Sequence, residues 1–252
     1  MRILTEQKPE ILTFADAPST AAAIADALIA ELAGHKAHTH ISVTGGGLGS
    51  AVWPALVANP KAGEVLWNRM HIWFSDERFV PAGSADRNDN AVLAVAGELG
   101  LLPEHIHSVP GPDLVGSVDE STLDYACALA GRRVPHAGNL PAPVFAVSIL
   151  GIGPDGHVAS LFPGRPEVAV TQGAVLTVEN SPKPPPVRVS FTRPMLMQCQ
   201  QLWMIAAGAE KAQAVSLALT PGESPNRTPA AGLRGREATR WFVDKAAAAD
   251  LQ

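Results

Sequence analysis

The sequence predicts an α/β fold in one domain over residues 1–252, built on a mostly parallel sheet flanked by helices. Short apolar runs rich in β-branched and aromatic residues recur along it: HISVTGGG, MHIWFSDE, PVFAVSILG, AVLTVEN, VRVSFT, QLWMIAAG and TRWFVD, several of them separated by stretches that can be helical. Most of these runs are apolar at consecutive positions, which suits strands buried on both faces inside a helix-covered parallel sheet. A chain of 252 residues with 46% hydrophobic residues can also bury a core of that size, and no internal repeat or long low-complexity linker divides it.

The elements follow in order. Residues 16–33 open on an Asp/Ser/Thr start signal, continue with alanine and leucine at helical spacing, and stop at Gly34, which predicts a helix. Polar clusters then fall directly after predicted strands: TGGGLGS after 41–43, SDER after 71–74 and GPDGH after 144–150. In a parallel sheet these three converge on one crevice at the carboxyl ends of the strands. SPKPPP at 181–186 is extended and loop-like, because proline fixes its own φ and restricts the residue before it, and it reads as a rigid connector between strands. TPGESPNRTPAAGLRG, at 220–235, follows a predicted helix and reads as a surface loop.

Bulk properties exclude several classes. The formal net charge is −5, with 19 Lys and Arg scattered along the chain, so neither nucleic acid nor an anionic membrane surface is an expected partner. Cys127 and Cys199 stand apart, far from metal or redox spacing, and MRILTEQKPE lacks the apolar core of a signal peptide. The longest apolar stretch, PVFAVSILGIG, is too short to span a bilayer. The expectation is a cytoplasmic, soluble protein with reduced thiols, a monomer or weak homo-oligomer acting on a small molecule.

VSILGIGPDGHVAS contains G-x-G-x-x-G at Gly151, Gly153 and Gly156. A dinucleotide fingerprint needs a long helix after its glycines and an acidic residue about 20 positions on. Here Pro163 and Gly164 stop any helix early, no acidic residue closes a second strand at that spacing, and Pro154 and Asp155 occupy the place of open amides. No cofactor is expected. What remains is a strand-to-helix turn that projects Asp155 and His157 near a helix amino end. A histidine there can serve as a general base with the carboxylate fixing its tautomer; the bland alternative is a capping or surface histidine.

In FSDERFVP, Asp76 can orient a hydroxyl or a proton carrier, and Arg78 offers a planar fork for phosphate or carboxylate; the alternative is a solvated turn. Gly45, Gly46 and Gly47 lead into a helix expected to start around residues 48–51, and their amides can turn toward one anion. The stretch lacks the Gly-Lys-Ser/Thr of a nucleotide loop, which leaves a monophosphate site or a plain tight turn. His35, His38 and His40 have no carboxylate or cysteine beside them, so no metal site is expected. No G-x-S-x-G is present, so a serine elbow is missing. Lys211, after a strand end, is a solvated lysine or a phosphate partner.

On WFSDERFVP followed by DRND, on LGIGPDGHVASLFPG, on SPKPPPVRVSFT and on GAEKAQAV with Lys211, in that order, most of the chain resembles the 6-phosphogluconolactonases. The resemblance implies a modified Rossmann-like fold of the sugar-phosphate isomerase/lactonase type. The aminosugar-phosphate isomerases share the Asp-Gly-His turn but continue into a phenylalanine-asparagine-glutamate-proline signature, whereas this chain reads Val158-Ala159-Ser160-Leu161-Phe162-Pro163-Gly164. One departure is that Gly47 and Leu48 stand where many family members have serine and threonine, so phosphate contacts fall to backbone amides, Thr44 or Ser50.

The resemblance further implies that the glycine turn presents His157 to a lactone carbonyl. His157 acts as the base, Asp155 orients it or binds a sugar hydroxyl, and Arg78 and Lys211 hold the 6-phosphate with the Gly45–Gly47 amides. Arg188 is a further anion ligand or the partner of an acidic neighbour, and Asp76 positions Arg78 or a sugar hydroxyl. Neither metal nor cofactor enters this chemistry. A sugar-phosphate isomerase and a binding module that kept the pocket are the competing readings.

Overall fold

The computed structural model describes residues 8–131 and 140–251, so most of the MRILTEQKPE segment lies outside the described residues. The chain runs β1 (Glu10–Phe14), α1 (Ala17–Leu32), β2 (Thr39–Val43), α2 (Gly46–Ala58), β3 (Met70–Phe74), β4 (Asp76–Arg78), α3 (Asn90–Leu93), α4 (Ala96–Leu99) and β5 (Ile106–His107). It continues with α5 (Val118–Gly131), β6 (Phe145–Gly151), β7 (Val175–Val178), β8 (Arg188–Phe191), α6 (Arg193–Leu196), β9 (Cys199–Ala206), α7 (Ala212–Leu219) and β10 (Ala238–Asp244). No helix among the described residues is long and apolar enough to cross a membrane.

A 7-stranded sheet in the order β1-β10-β9-β6-β2-β3-β5 forms the centre, and every pairing in it is parallel. Its central strands are apolar on both faces because alternate residues enter different cores. Leu202 and Met204 of β9 pack with Tyr125 of α5, whereas Trp203 and Ile205 pack with Ile24 and Leu28 of α1. From β2 the chain moves toward β3 and β5, then returns to β6 and moves the other way to β9 and β10. The loops after β2 and β6 therefore diverge and open a crevice between them, the ligand position for an open parallel sheet.

AVLTVEN and VRVSFT are strands, but they belong to a separate 3-stranded antiparallel sheet, β4-β8-β7. SPKPPP is the connector between β7 and β8, as expected. The helix at residues 16–33 is observed as α1, with Asp16 accepting from the Ser19 amide in a capping box. The helix expected from residues 48–51 starts earlier, at Gly46, because the glycine run itself forms the first turn. No helix follows GPDGH: Val158 bridges to both Ile152 and Leu161, and Gly156 is left-handed at φ 82°, so the chain folds back instead. The 220–235 loop is not wholly superficial, since Thr228, Ala230 and Ala231 are buried.

Candidate active site

A cavity of about 830 Å³ lies at the crevice and is lined by Gly45, Gly46, Gly47, Asp76, Arg78, His157, Lys183, Arg188 and Lys211 among others. The sequence-predicted residues thus meet, with Asp155 set behind His157. Cations outnumber acids on this wall, Arg78, Lys183, Arg188 and Lys211 against Asp76 and Glu210, although the whole chain is acidic. The site favours an anion.

His157 is shaped by its turn. The Gly153 amide donates to the His157 carbonyl at 2.9 Å, and the Gly156 amide donates to the Gly153 carbonyl at 2.9 Å. A Cβ at Gly153 would meet the imidazole and the Asp155 carboxylate, so glycine is what allows the ring to lie back over the turn. Thr228 packs against Gly156, where a Cβ would lie 2.9 Å from its methyl, and locks the turn from behind. His157 Nδ1 contacts Asp155 Oδ1, with side chains 17% and 39% exposed respectively. Burial pushes the Asp155 carboxyl up, but the His157 hydrogen bond and the charges of His157 and Lys183 outweigh it and hold the group well below the usual carboxylate range.

Lys183 is one of two residues that sequence reasoning missed. Its Nζ lies 3.4 Å from His157 Nδ1 and 3.8 Å from Asp155 Oδ1, delivered by the β7–β8 connector. A lysine among prolines carries no periodic signal; the usable clue is that a stiff loop can hold one charge in place. Arg188 is buried and spends its donors on that loop: Nε to the Pro185 carbonyl at 3.1 Å, Nη2 to the Lys183 carbonyl at 3.0 Å and to the Pro184 carbonyl at 3.3 Å. Of the two roles expected for it, the acidic partner is present, Asp76 at 3.9 Å.

Asp76 does not touch Arg78. It accepts from Ser160 Oγ at 2.6 Å and pairs with Arg188. Arg78 is positioned by Asn88, whose Oδ1 accepts from Nη1 at 2.6 Å, and by the Asp86 carbonyl at 2.7 Å. Arg78 Nε is buried and finds no partner among the described residues, which leaves a donor for a ligand. Asn88, also missed, fills the space that a Cβ at Gly45 would need, so it ties the glycine turn to Arg78. Gly45 caps α2 without a side-chain hydrogen bond, leaving first-turn amides for an anion.

Glu77 points inward, accepting from the Asn88 and Asp89 amides at 2.8 and 3.1 Å. Burial raises its pKa to about 7, against the Asn88 amide, the Arg87 charge and the Arg78 amide. The Lys211 ammonium is pushed down, first by burial and then by Lys183.

A family model described as glucosamine-6-phosphate isomerases/6-phosphogluconolactonase matches residues 15–241. The chain belongs to this family. A Streptomyces coelicolor protein named 6-phosphogluconolactonase is 38% identical over 249 residues, covering 96% of this chain and 95% of its own length. A Mycobacterium tuberculosis protein of that name is 37% identical over 214 residues, 84% of each chain. The crystal structure of 6-phosphogluconolactonase from Thermotoga maritima superposes with a TM-score of 0.77 at 25% identity, covering 94% of this chain and 100% of the other. Family membership and the parallel sheet agree with the resemblance drawn from the motifs.

Proposed function

We propose that this family member hydrolyses 6-phospho-D-glucono-1,5-lactone to 6-phospho-D-gluconate, the lactone-opening step of the oxidative pentose phosphate pathway, as a cytoplasmic enzyme. The observation that carries the reading is that His157, backed by Asp155 on Nδ1, lines the same cavity as Arg78, Lys211 and the Gly45–Gly47 turn. Relatives named for this activity at 37–38% identity support it.

With Nδ1 engaged, Nε2 is the nitrogen that exchanges a proton. Water adds through oxygen to C1 while Nε2 takes its proton; the tetrahedral intermediate collapses, the bond between C1 and the ring oxygen breaks, and the proton passes from Nε2 to that oxygen. Asp155 orients the ring rather than binding sugar, since it stands behind His157. Arg78 and Lys211 hold the 6-phosphate with the first-turn amides. Lys183, on the cavity wall beside Nδ1 and Asp155, adds positive charge that helps stabilise the developing oxyanion at longer range. Arg188 and Asp76 brace the Lys183 loop. An isomerase reading lacks its glutamate: with Pro163 aligned to the signature's proline, buried Phe162 stands where the glutamate would be.

The test is hydrolysis of freshly generated lactone, coupled to 6-phosphogluconate dehydrogenase, with wild type, His157→Ala and a no-enzyme control. Wild type should accelerate the reaction and the variant should lose roughly 10²–10⁴-fold in kcat. A rate no faster than spontaneous opening would overturn the assignment.

A further inference from the structure

Five of the chain's 8 histidines gather at the opposite end of the strands. The sequence reads His-x-His at 38 and 40, His-x-Trp at 71 and 73, and His-x-His at 105 and 107. Period-two alternation puts the members of such a pair on one face, and the register aligns the pairs: His40 lies opposite His71 on β3, and Trp73 lies opposite His107. The imidazoles therefore form a single array across the amino ends of β2, β3 and β5.

We infer that His38, His71 and His105 form a binding site for one divalent transition-metal ion, zinc being the expected occupant. One nitrogen from each residue can be chosen so that all three lie within 4.8 Å of one another. His38 Nδ1 and His71 Nε2 are 2.9 Å apart, and the His71 and His105 ring centroids are 3.9 Å apart. Tetrahedral zinc with bonds of about 2.0–2.1 Å separates its ligand nitrogens by about 3.3 Å. The His38–His71 contact must open by a few tenths of an ångström and the third nitrogen must close in. His38 is exposed while His71 and His105 are buried, so an ion has an approach from solvent and a fourth position for water.

The surrounding residues support that use. His71 Nδ1 hydrogen-bonds His107 Nε2 at 2.9 Å, and His107 stacks on Trp73 at 3.8 Å between centroids. Trp73 Nε1 donates to His40 Nδ1 at 3.0 Å. A second nitrogen anchored in this way fixes the ligand's tautomer and ring angle, the usual support of a metal-bound imidazole. Three imidazoles suit borderline ions such as zinc, nickel or copper and not calcium or magnesium. The ion would tie the 2-residue edge strand β5 to β2 and β3. HKAHTH alone gives no metal site because the other two imidazoles, His71 on β3 and His105 just before β5, lie far away in sequence.

The test uses full-length, chelator-treated protein without a polyhistidine tag, titrated with zinc chloride by calorimetry and melted with and without the ion. Wild type should bind one equivalent, and a hundred-fold excess over Kd should raise Tm by about 5 °C. His38→Ala, at an exposed position, should keep its fold and its lactone hydrolysis yet lose more than about 100-fold in zinc affinity, and His107→Gln should lose about 10–100-fold. His157→Ala should bind zinc as wild type does. No binding by wild type, binding unchanged in His38→Ala, or binding abolished by His157→Ala would each overturn the site.

Discussion

Gly153→Ala isolates the geometry of the proposed base from its chemistry, since it leaves both His157 and Asp155 in the chain. A Cβ built at Gly153 would sit 2.5 Å from Asp155 Oδ1 and nearer still to the His157 ring, against an ordinary contact of 3.4–4 Å. The carboxylate must move by about 1 Å and the imidazole by more, and a displacement of about 1 Å at a reacting group costs roughly 10²-fold in rate. The fold should tolerate this, because both side chains border open space and can swing outward. The coupled assay should give kcat about 100-fold below wild type, KM within a few-fold, and Tm within a few degrees. An alanine variant turning over at the wild-type rate would show that the placement of His157 over the turn is irrelevant to catalysis.

Asp155→Asn should lower kcat by roughly 10²–10⁴-fold with KM little changed, because the amide can no longer hold the required tautomer; equal kcat would remove Asp155 from the mechanism. Lys183→Met should lower kcat/KM about ten-fold, equivalent to about 1.4 kcal/mol of lost charge stabilisation, and a rate that rises instead would reverse its role. Comparing glucono-1,5-lactone with its 6-phosphate reports on the phosphate contacts: Arg78→Ala and Lys211→Ala should each erode wild-type preference for the phosphorylated substrate by about 10-fold or more, and an intact preference in both would misplace the phosphate. Glu77 yields a pH prediction. Its folded pKa, about 7, is above the ordinary 4.5, so the native protein holds a proton that the unfolded chain has released. Its stabilisation is complete below about 4.5 and is lost as pH rises through about 7, a change of roughly 3 kcal/mol. In urea denaturation the stability of wild type relative to Glu77→Gln should fall across that window; parallel profiles would contradict the shift.

The central sheet was legible because its interior strands advertise burial on both faces, as FAVSILG and QLWMIA do. β1 was not, since EILTF sits at an edge with much of it exposed, and β5 has only 2 residues. Pairing direction was equally hidden. VRVSF looks the same whether it joins a parallel or an antiparallel neighbour, and its placement beside β4 depends on residues more than 100 positions away. At the site, His157, Arg78, Lys211 and the glycines were readable from their position after strands, while Lys183 and Asn88 were not, because their roles follow from what the folded loops bring near them. The helix expected after GPDGH failed for a local reason: left-handed backbone at Gly156 and again at Ala159, where φ is 49°, cannot propagate a right-handed turn.

Asp76 and Arg188 explain how parts from different layers keep one geometry. Ser160, on the chain leaving the His157 turn, donates to Asp76 at the start of β4; Arg188 on β8 pairs with Asp76 and binds the carbonyls on either side of the Lys183–Pro184 bond. Both charged groups are buried, and removing them from water offsets most of what their attraction contributes to stability. The consequence of the network is positional. It joins the histidine turn, the strand that carries Arg78 and the loop that carries Lys183, so a shift in any one is transmitted to the other two. On the proposed mechanism, a substrate held at its phosphate by Arg78 would thereby sit at a set distance from His157, which is what an already reactive lactone needs most from a catalyst.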